Sequence, residues 1–350
     1  MFRHWFYLTR ATGWLLLVFF RASYYFKTQA LQTLELPGPE RLSQKEKRRL
    51  KHYFYGTTYL SAVFCSLRGG LRTPEEQRAF TNLAALAYFF DDLVDVFRQT
   101  DDGGVLWQDN PEAYGQAADN RGLAIHFLHN VYAALSPGDV AQFKTFMHRV
   151  FNLETRGRQL DLPAQTWTAA ALAHLTAEKG GYSVLLFRRV LRHPLLPAEQ
   201  EALYQFGYLI QLADDIFDVW FDQQAGVVTL ATLLLADQQT AALSQHFEGQ
   251  VQATQNAFRA LGGTGKGKKK RSPNPQGLAN AETALYAAHR IETAHCIIHY
   301  LVSIARVCLR HYADLAQKGP LPLHSRRDMV VDMEKWRNRA RAVRCLFNGS

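Results

Sequence analysis

Tyr88-Phe-Phe-Asp91-Asp92-Leu-Val-Asp95-Val-Phe97 sets three carboxylates into a run that is otherwise aromatic and apolar. Read as a helix, Asp91 and Asp92 lie four and three residues before Asp95, so the three acids project from adjoining parts of one face. The remainder of that helix calls for burial. Like charges at this spacing repel, and taking ionised carboxylates out of water costs several kcal/mol or forces their protonation. A bound cation removes the conflict.

Farther along, Gly207-Tyr-Leu-Ile-Gln211-Leu-Ala-Asp214-Asp215-Ile-Phe-Asp218-Val-Trp-Phe-Asp222 repeats the arrangement. Asp214, Asp218 and Asp222 stand at i, i+4 and i+8, which drift by only about 40° per step around a helix and make one acidic stripe. A single acidic patch is more often a solvated or salt-bridged face. Two Asp-Asp-x-x-Asp runs set among Phe, Leu, Ile and Trp favour function instead. Oxygen-only ligands suit a hard cation, and magnesium takes a few carboxylates, keeps waters and shares its remaining positions with phosphates. The ligand so implied is a diphosphate.

With both motifs in view, the sequence resembles the class I isoprenoid synthases. The context from Leu71-Arg-Thr-Pro74-Glu-Glu-Gln-Arg78 to Asp95 is similar to squalene and phytoene synthases. The second context, Phe206 to Asp218 followed by Gly226-Val-Val-Thr229-Leu230, is closer to trans-polyprenyl diphosphate synthases. The resemblance covers roughly residues 50 to 235. It implies an all-α, single-domain helical bundle with a central active-site cavity on which two aspartate motifs face each other. It also implies Mg2+, three ions in all, held by Asp91, Asp95, Asp214, Asp218 and Asp222, with Asp92 and Asp215 as the accompanying catalytic acids.

The activity expected from this is metal-triggered ionisation of an allylic prenyl diphosphate, followed by cyclisation or quenching of the carbocation, as in a class I terpene synthase. A squalene- or phytoene-type head-to-head prenyltransferase is the alternative. Ordinary chain elongation is disfavoured: Arg68-Gly-Gly-Leu-Arg72 only echoes the Gly-Gly-Lys-Arg motif of isopentenyl diphosphate binders, and Arg98 stands alone. A non-catalytic membrane-associated bundle is the third reading, and the intact acids argue against it.

Around the motifs, Glu178-Lys179-Gly180-Gly181-Tyr182 interrupts an otherwise helical pattern, and two consecutive glycines disfavour a helix by about 2 kcal/mol relative to alanines. Either a loop separates two helices there, or the helix breaks at the active site and brings Lys179 to the diphosphate. Tyr88, Phe89, Gln211, Tyr182, Arg156 and Arg158 are the candidates for substrate contact. Tyr88, Phe89, Phe90, Tyr182, Phe187, Tyr208, Phe217 and Trp220 are aromatics able to stabilise a carbocation, of which two or three are expected to line the cavity and the rest to pack the core. Arg156 and Arg158 also suit a helix C-terminus. His289, Glu292, His295 and His299 are read as one helix face, since a di-iron site needs a second Glu-x-x-His.

The chain has 350 residues, is 47% hydrophobic and carries a net charge of +9. No nucleic-acid fold signature accompanies the basic runs, which read as membrane-facing or solvated surface. Cys65, Cys296, Cys308 and Cys345 have neither disulfide nor metal spacing, consistent with a reduced cytoplasmic setting. Residues 1–35 are read as an amphipathic interfacial helix. The apolar run Ala11–Phe20 between Arg10 and Arg21 is about half the ~20 residues needed to span a bilayer. A helix packed on the bundle and a signal peptide are the other readings. Peripheral attachment to the inner membrane face is therefore expected as an option.

Residues 36–350 are expected to form the bundle that the resemblance implies, with a flexible basic insertion at 262–277. Ser43 with Glu46 and Thr73 with Glu76 have capping-box spacing, and Pro74, Pro137 and Pro197 sit where first-turn prolines belong. Helices are expected near 43–67, 74–99, 119–134, 137–159, 165–192, 198–224, 228–235, 238–260, 278–316 and 325–346, with no sheet.

Overall fold

A computed structural model describes residues 2–30, 43–97, 120–158, 167–262, 288–319, 325–333 and 335–348. Among these residues there is no strand. The helices are α1 (Phe2–Tyr25), continued by a π-helical turn (Phe26–Ala30), α2 (Gln44–Arg68), α3 (Pro74–Phe97), α4 (Asn120–Ala133), α5 (Pro137–Arg158) and α6 (Ala169–Arg189). They continue with α7 (Pro197–Phe217), α8 (Val219–Ala225), α9 (Leu230–Ala236), α10 (Thr240–Ala260), α11 (Ala288–Ala316), α12 (Arg326–Met329) and α13 (Trp336–Asn348). The all-helical expectation holds. The insertion at 263–277, and Arg98, lie outside the described residues.

Contacts divide the chain into two compact units, Met1–Thr155 with Ser183–Leu195, and Arg156–Tyr182 with Leu196–Ser350. In the first, α1 packs on α2, α2 on α3 and α3 on α4. Leu8, Ala11, Val18 and Ala22 are the buried face of α1. Trp14 Nε1 also donates to the Ala62 carbonyl at 3.0 Å, which ties α1 to α2. The core below is aromatic: Phe80 meets Phe187 at 5.4 Å between ring centroids, and Phe89 stacks on Phe127 at 5.8 Å.

Both anticipated capping boxes form. Ser43 N donates to Glu46 Oε2 at 2.7 Å, and Glu46 N donates back to Ser43 Oγ at 3.2 Å. Thr73 N donates to Glu76 Oε2 at 2.8 Å, and Glu76 N to Thr73 Oγ1 at 3.3 Å. Between them Gly69 closes α2 in the left-handed region (φ 78°), where a side chain would be strained. Glu76 is more than a cap. Its Oε1 accepts from Arg68 Nη1 at 2.6 Å and from Arg192 N at 2.9 Å, so one buried carboxylate joins α2, α3 and the turn after α6. Arg68, which also donates to the Leu71 carbonyl at 2.6 Å, is committed to this junction.

In the second unit α7 packs on α9, α10 and α11, and α11 carries α10 and α13. The double glycine is where the structure departs from both alternatives offered above: α6 runs unbroken through Gly180 and Gly181. A Cβ on Gly180 would meet the Gly207 carbonyl oxygen and sit 2.6 Å from Gln211 Cβ, while one on Gly181 would strike the Tyr204 ring. Gly207 meets the Gly180 carbonyl in return. The glycines exist for close approach of α6 to α7, and the packing gained outweighs their poor helix propensity.

The single helix expected over 198–224 bends at Asp218, and the segment expected as 325–346 is two helices, α12 and α13. Helix α8 ends at Gly226 (φ 71°), and α8 and α9 meet at 88°. Thr229 and Thr232 cap α9 reciprocally. All four cysteines are free and buried. Among the described residues α11 is long and apolar enough to cross a membrane, but 67% of its most apolar window is buried in the protein, as for a core helix.

Candidate functional site

The second aspartate run occupies the end of α7 and the start of α8. Despite the bend, the helical ladder passes through it: Asp218 N donates to the Asp214 carbonyl at 2.9 Å, and Asp222 N to the Asp218 carbonyl at 2.8 Å. The i, i+4, i+8 register is therefore kept. Asp214 and Asp218 are exposed, Asp222 is half-buried and Asp215 is buried.

Asp215 points inward and has both oxygens occupied. Oδ1 accepts from Gln211 Nε2 at 3.0 Å, one turn back on α7, and Oδ2 accepts from Thr176 Oγ1 at 3.1 Å on α6. Gln211, read from the sequence as a substrate contact, thus gives its amide to Asp215. Burial raises the Asp215 pKa against the pull of Gln211, Lys179 and Thr176, and the Asp218 charge raises it further.

Lys179, half-buried, stands three residues after Thr176 on α6, and its ammonium acts on both Asp215 and Asp222. The close approach permitted by Gly180 and Gly207 brings this stretch of α6 to α7. The acids outnumber the base, and Asp222 records the imbalance. Burial together with the charges of Asp215, Asp218 and Asp214 lifts its pKa from 3.8 to about 7, with only Lys179 opposing. The Asp218 carboxyl is raised as well: it is open on one side, but protein on the other side partly desolvates it.

Aromatic side chains stand along α7, α8 and α11 near this acidic turn. Tyr208, one turn before Gln211, hydrogen bonds through its hydroxyl to His246 Nε2. Its pKa is pushed up to about 12 by burial and by Asp215 and Tyr204. Tyr312 of α11 donates to the Ile216 carbonyl at 2.9 Å, and its pKa is raised chiefly by burial, with Cys308, Asp218 and Asp222 adding to it. Tyr182 stands edge-on to Tyr204 at 5.5 Å. Arg326 of α12 lies over the rings of Trp220 and Phe221, 5.5 and 5.3 Å from their centroids, so Trp220 already faces a protein cation.

Other anticipated residues have structural partners. Arg156 Nη1 stands 3.9 Å from Glu178 Oε2, which His174 also approaches at 3.4 Å. The side chain of Arg158 lies outside the described residues. In the first unit Tyr88 is half-buried, with the Arg49 guanidinium 5.0 Å from its ring centroid and Tyr53 edge-on to it. Phe89 is fully buried against Phe127, and Phe90 and Phe187 are also core. The expectation that Phe89 meets substrate gives way to packing, because its ring is spent on the α3–α4 interface.

Asp91, Asp92 and Asp95 fall in the last turns of α3, whose helical backbone agrees with the sequence reading; their side chains lie outside the described residues. His295 is buried beside the Phe258 ring and held neutral by burial, its pKa lowered to about 4. Among the described residues no group of three His, Cys, Asp or Glu side chains converges on a metal position.

Sequence reasoning missed Thr176, Tyr312 and His246. The i, i+3 pairing of Thr176 with Lys179 was a usable signal. Nothing local marks Tyr312, which lies 96 residues from its partner.

No protein-family model and no curated protein matches this sequence. A solved structure of a cucumene synthase carrying a single substitution matches over 82% of this chain and 98% of that one, at 13% identity and a TM-score of 0.42.

Proposed function

We propose that the chain is a magnesium-dependent enzyme of prenyl diphosphates, one that ionises an allylic substrate and lets the carbocation cyclise or be quenched. The observation that carries this is the acidic turn at the α7–α8 bend, where four aspartates interact with one another and with a single facing lysine. An uncompensated cluster of carboxylates is unfavourable unless a cation or a proton relieves it, and Asp222 at about 7 already leans towards the proton.

The donor set fits magnesium. Every exposed ligand is a carboxylate oxygen, and magnesium commonly takes only one or two carboxylates, with water and phosphate oxygens completing its shell, so a cage of three side chains is not required. One or two of Asp214, Asp218 and Asp222 would hold it here, and Asp91 and Asp95 would have the same role in the first motif. Bound, it supplies positive charge to the departing diphosphate.

The protein does the rest. Lys179 would contact the diphosphate oxygens and is kept near the acids by the glycine-mediated approach of α6. Asp215 would act as a positioning residue, joining Thr176 of α6 to Gln211 of α7. Tyr182 and Tyr208 would offer ring faces to the developing cation, and they are chosen over Trp220, which Arg326 occupies.

The context Leu71–Asp95 favours a second reading, head-to-head condensation of two prenyl diphosphates. Incubating purified protein with magnesium and prenyl diphosphates of several lengths, followed by mass spectrometry, separates the two. We expect products of unchanged carbon number without added nicotinamide. A doubled carbon number selects the second reading, and no turnover of any length with magnesium present refutes both.

A further inference from the structure

The first unit holds a cavity of about 300 Å³ beneath the end of α1, lined among others by Phe20, Arg21 and Tyr24 of α1, by Arg72 just before α3 and by Gln77 in its first turn. The two charged residues lining it are both arginines, and no acid lines it. Arg72 is held with its guanidinium carbon 4.8 Å from the Phe80 ring centroid, and its Nη1 is a buried nitrogen with no hydrogen-bond acceptor.

The nearby Glu76 carboxylate attracts Arg72 by its charge but does not accept from Nη1. Glu76 already accepts from Arg68, from the Arg192 amide and from the Thr73 amide. Nor does loss of a proton relieve Arg72, since burial lowers its pKa only to about 10. A buried guanidinium nitrogen lacking an acceptor is unfavourable, and its planar fork matches the oxygens of a phosphate.

The surroundings say how that phosphate is presented. Helix α1 has a second apolar stripe on the side away from α2: Trp5, Phe6, Leu16, Leu17, Phe20 and Tyr24 are exposed, Phe20 by 73%. At about 100° per residue these positions share one face, with Arg10 and Arg21 along one border. The first acid in the chain is Glu35, so α1 and its π turn carry only basic charge. Phe20 and Tyr24 belong both to the stripe and to the cavity wall. Exposed aromatics and aliphatics bordered by arginines, with no acid, suit the interface of a negatively charged bilayer.

We infer that the cavity under α1 is a headgroup site for an anionic phospholipid, with Arg72 and Arg21 on the phosphate and the Leu16–Phe20–Tyr24 stripe lying in the bilayer interface. This does not depend on the proposed chemistry at the α7–α8 bend.

The test uses the full chain in EDTA, so that magnesium-dependent diphosphate binding plays no part. Flotation with phosphatidylcholine vesicles is compared with vesicles also containing phosphatidylglycerol, and melting is followed with and without inorganic phosphate. Wild type should float with the anionic vesicles at least about tenfold better than with the neutral ones, and phosphate should raise its melting temperature. Arg72→Gln should lose about tenfold in vesicle affinity and lose the phosphate response.

Leu16→Ser combined with Leu17→Ser, both exposed and neither lining the cavity, should lose vesicle binding and keep the phosphate response. Arg21→Gln, also exposed, keeps the question decidable if Arg72→Gln does not fold; it should weaken vesicle binding about threefold. Flotation of Arg72→Gln or Arg21→Gln equal to wild type overturns the proposal. So does a phosphate response without vesicle binding, which would mean that the cavity takes a free phosphate compound.

Discussion

The acidic turn of α7–α8 and the arginine cavity under α1 both gather charge of one sign in partly desolvated surroundings, yet they deal with it in opposite ways. The carboxylates have two internal remedies: Lys179 opposes them, and Asp222 takes up a proton near neutrality, its pKa standing at about 7. Arg72 is attracted by the charge of Glu76, but its Nη1 still lacks an acceptor, and a pKa of about 10 leaves the guanidinium charged at any physiological pH. An acid cluster can therefore wait for its cation in a partly protonated state, whereas a buried guanidinium demands an anion outright. The acidic site is adjustable and suits ligands that come and go; the basic one suits standing attachment.

The contrast breaks first if the acids have no ligand to wait for. Asp214→Asn should lower turnover about a hundredfold to a thousandfold while the helical circular dichroism stays as in wild type. Undiminished product formation would reduce the cluster to a structural compromise.

Next in size is the contact that brings Lys179 to the acids. Gly180→Ala forces a methyl against the Gly207 carbonyl and Gln211, and should destabilise the protein by about 2–3 kcal/mol in denaturant titrations. Gly249→Ala, on an open helix face with nothing within 4 Å, should instead stabilise by about 0.5–1 kcal/mol. If the two variants moved together, propensity and not close approach would explain the glycines.

Protonation of Asp222 can be read directly. Its folded value of about 7 lies above the ordinary 3.8, so its favourable contribution is complete below about pH 4 and is lost as pH rises through about 7. Asp222→Asn should therefore gain on wild type across that window, by roughly 2 kcal/mol once its partial exposure is discounted. Parallel melting curves at every pH would show that the charges around Asp222 do not couple.

The smallest effect expected is at Thr176. Thr176→Val removes the donor to Asp215 Oδ2 and should cost about 1 kcal/mol, a cost that shrinks as pH falls and the carboxylate is protonated. A loss independent of pH would mark the change as packing alone.

Local chemistry was readable without the fold. The capping boxes at Ser43 and Thr73, the helical register of Asp214, Asp218 and Asp222, and the all-helical class follow from spacings of three and four residues, which a helix converts into contacts by its geometry alone. The apolar and basic make-up of α1 was also visible in its composition. What escaped were partners distant in sequence. Gly180 and Gly181 looked like a break because the sequence displays their propensity but not Gly207 or Tyr204, the groups they make room for. Phe89 looked available to a substrate because its position beside Asp91 is local, while its stacking on Phe127 is not.

Three aspects of this protein were fixed by the order of residues alone: helices, their starts, and the clustering of acids in two runs. Tertiary structure decided which of those acids is satisfied and which is not. Asp215 is quieted by Thr176 from another helix, Asp222 is left crowded, and Arg72 Nη1 is left without an acceptor. Hydrogen bonding and desolvation depend on which groups meet in space, and no helical period encodes a neighbour from another element.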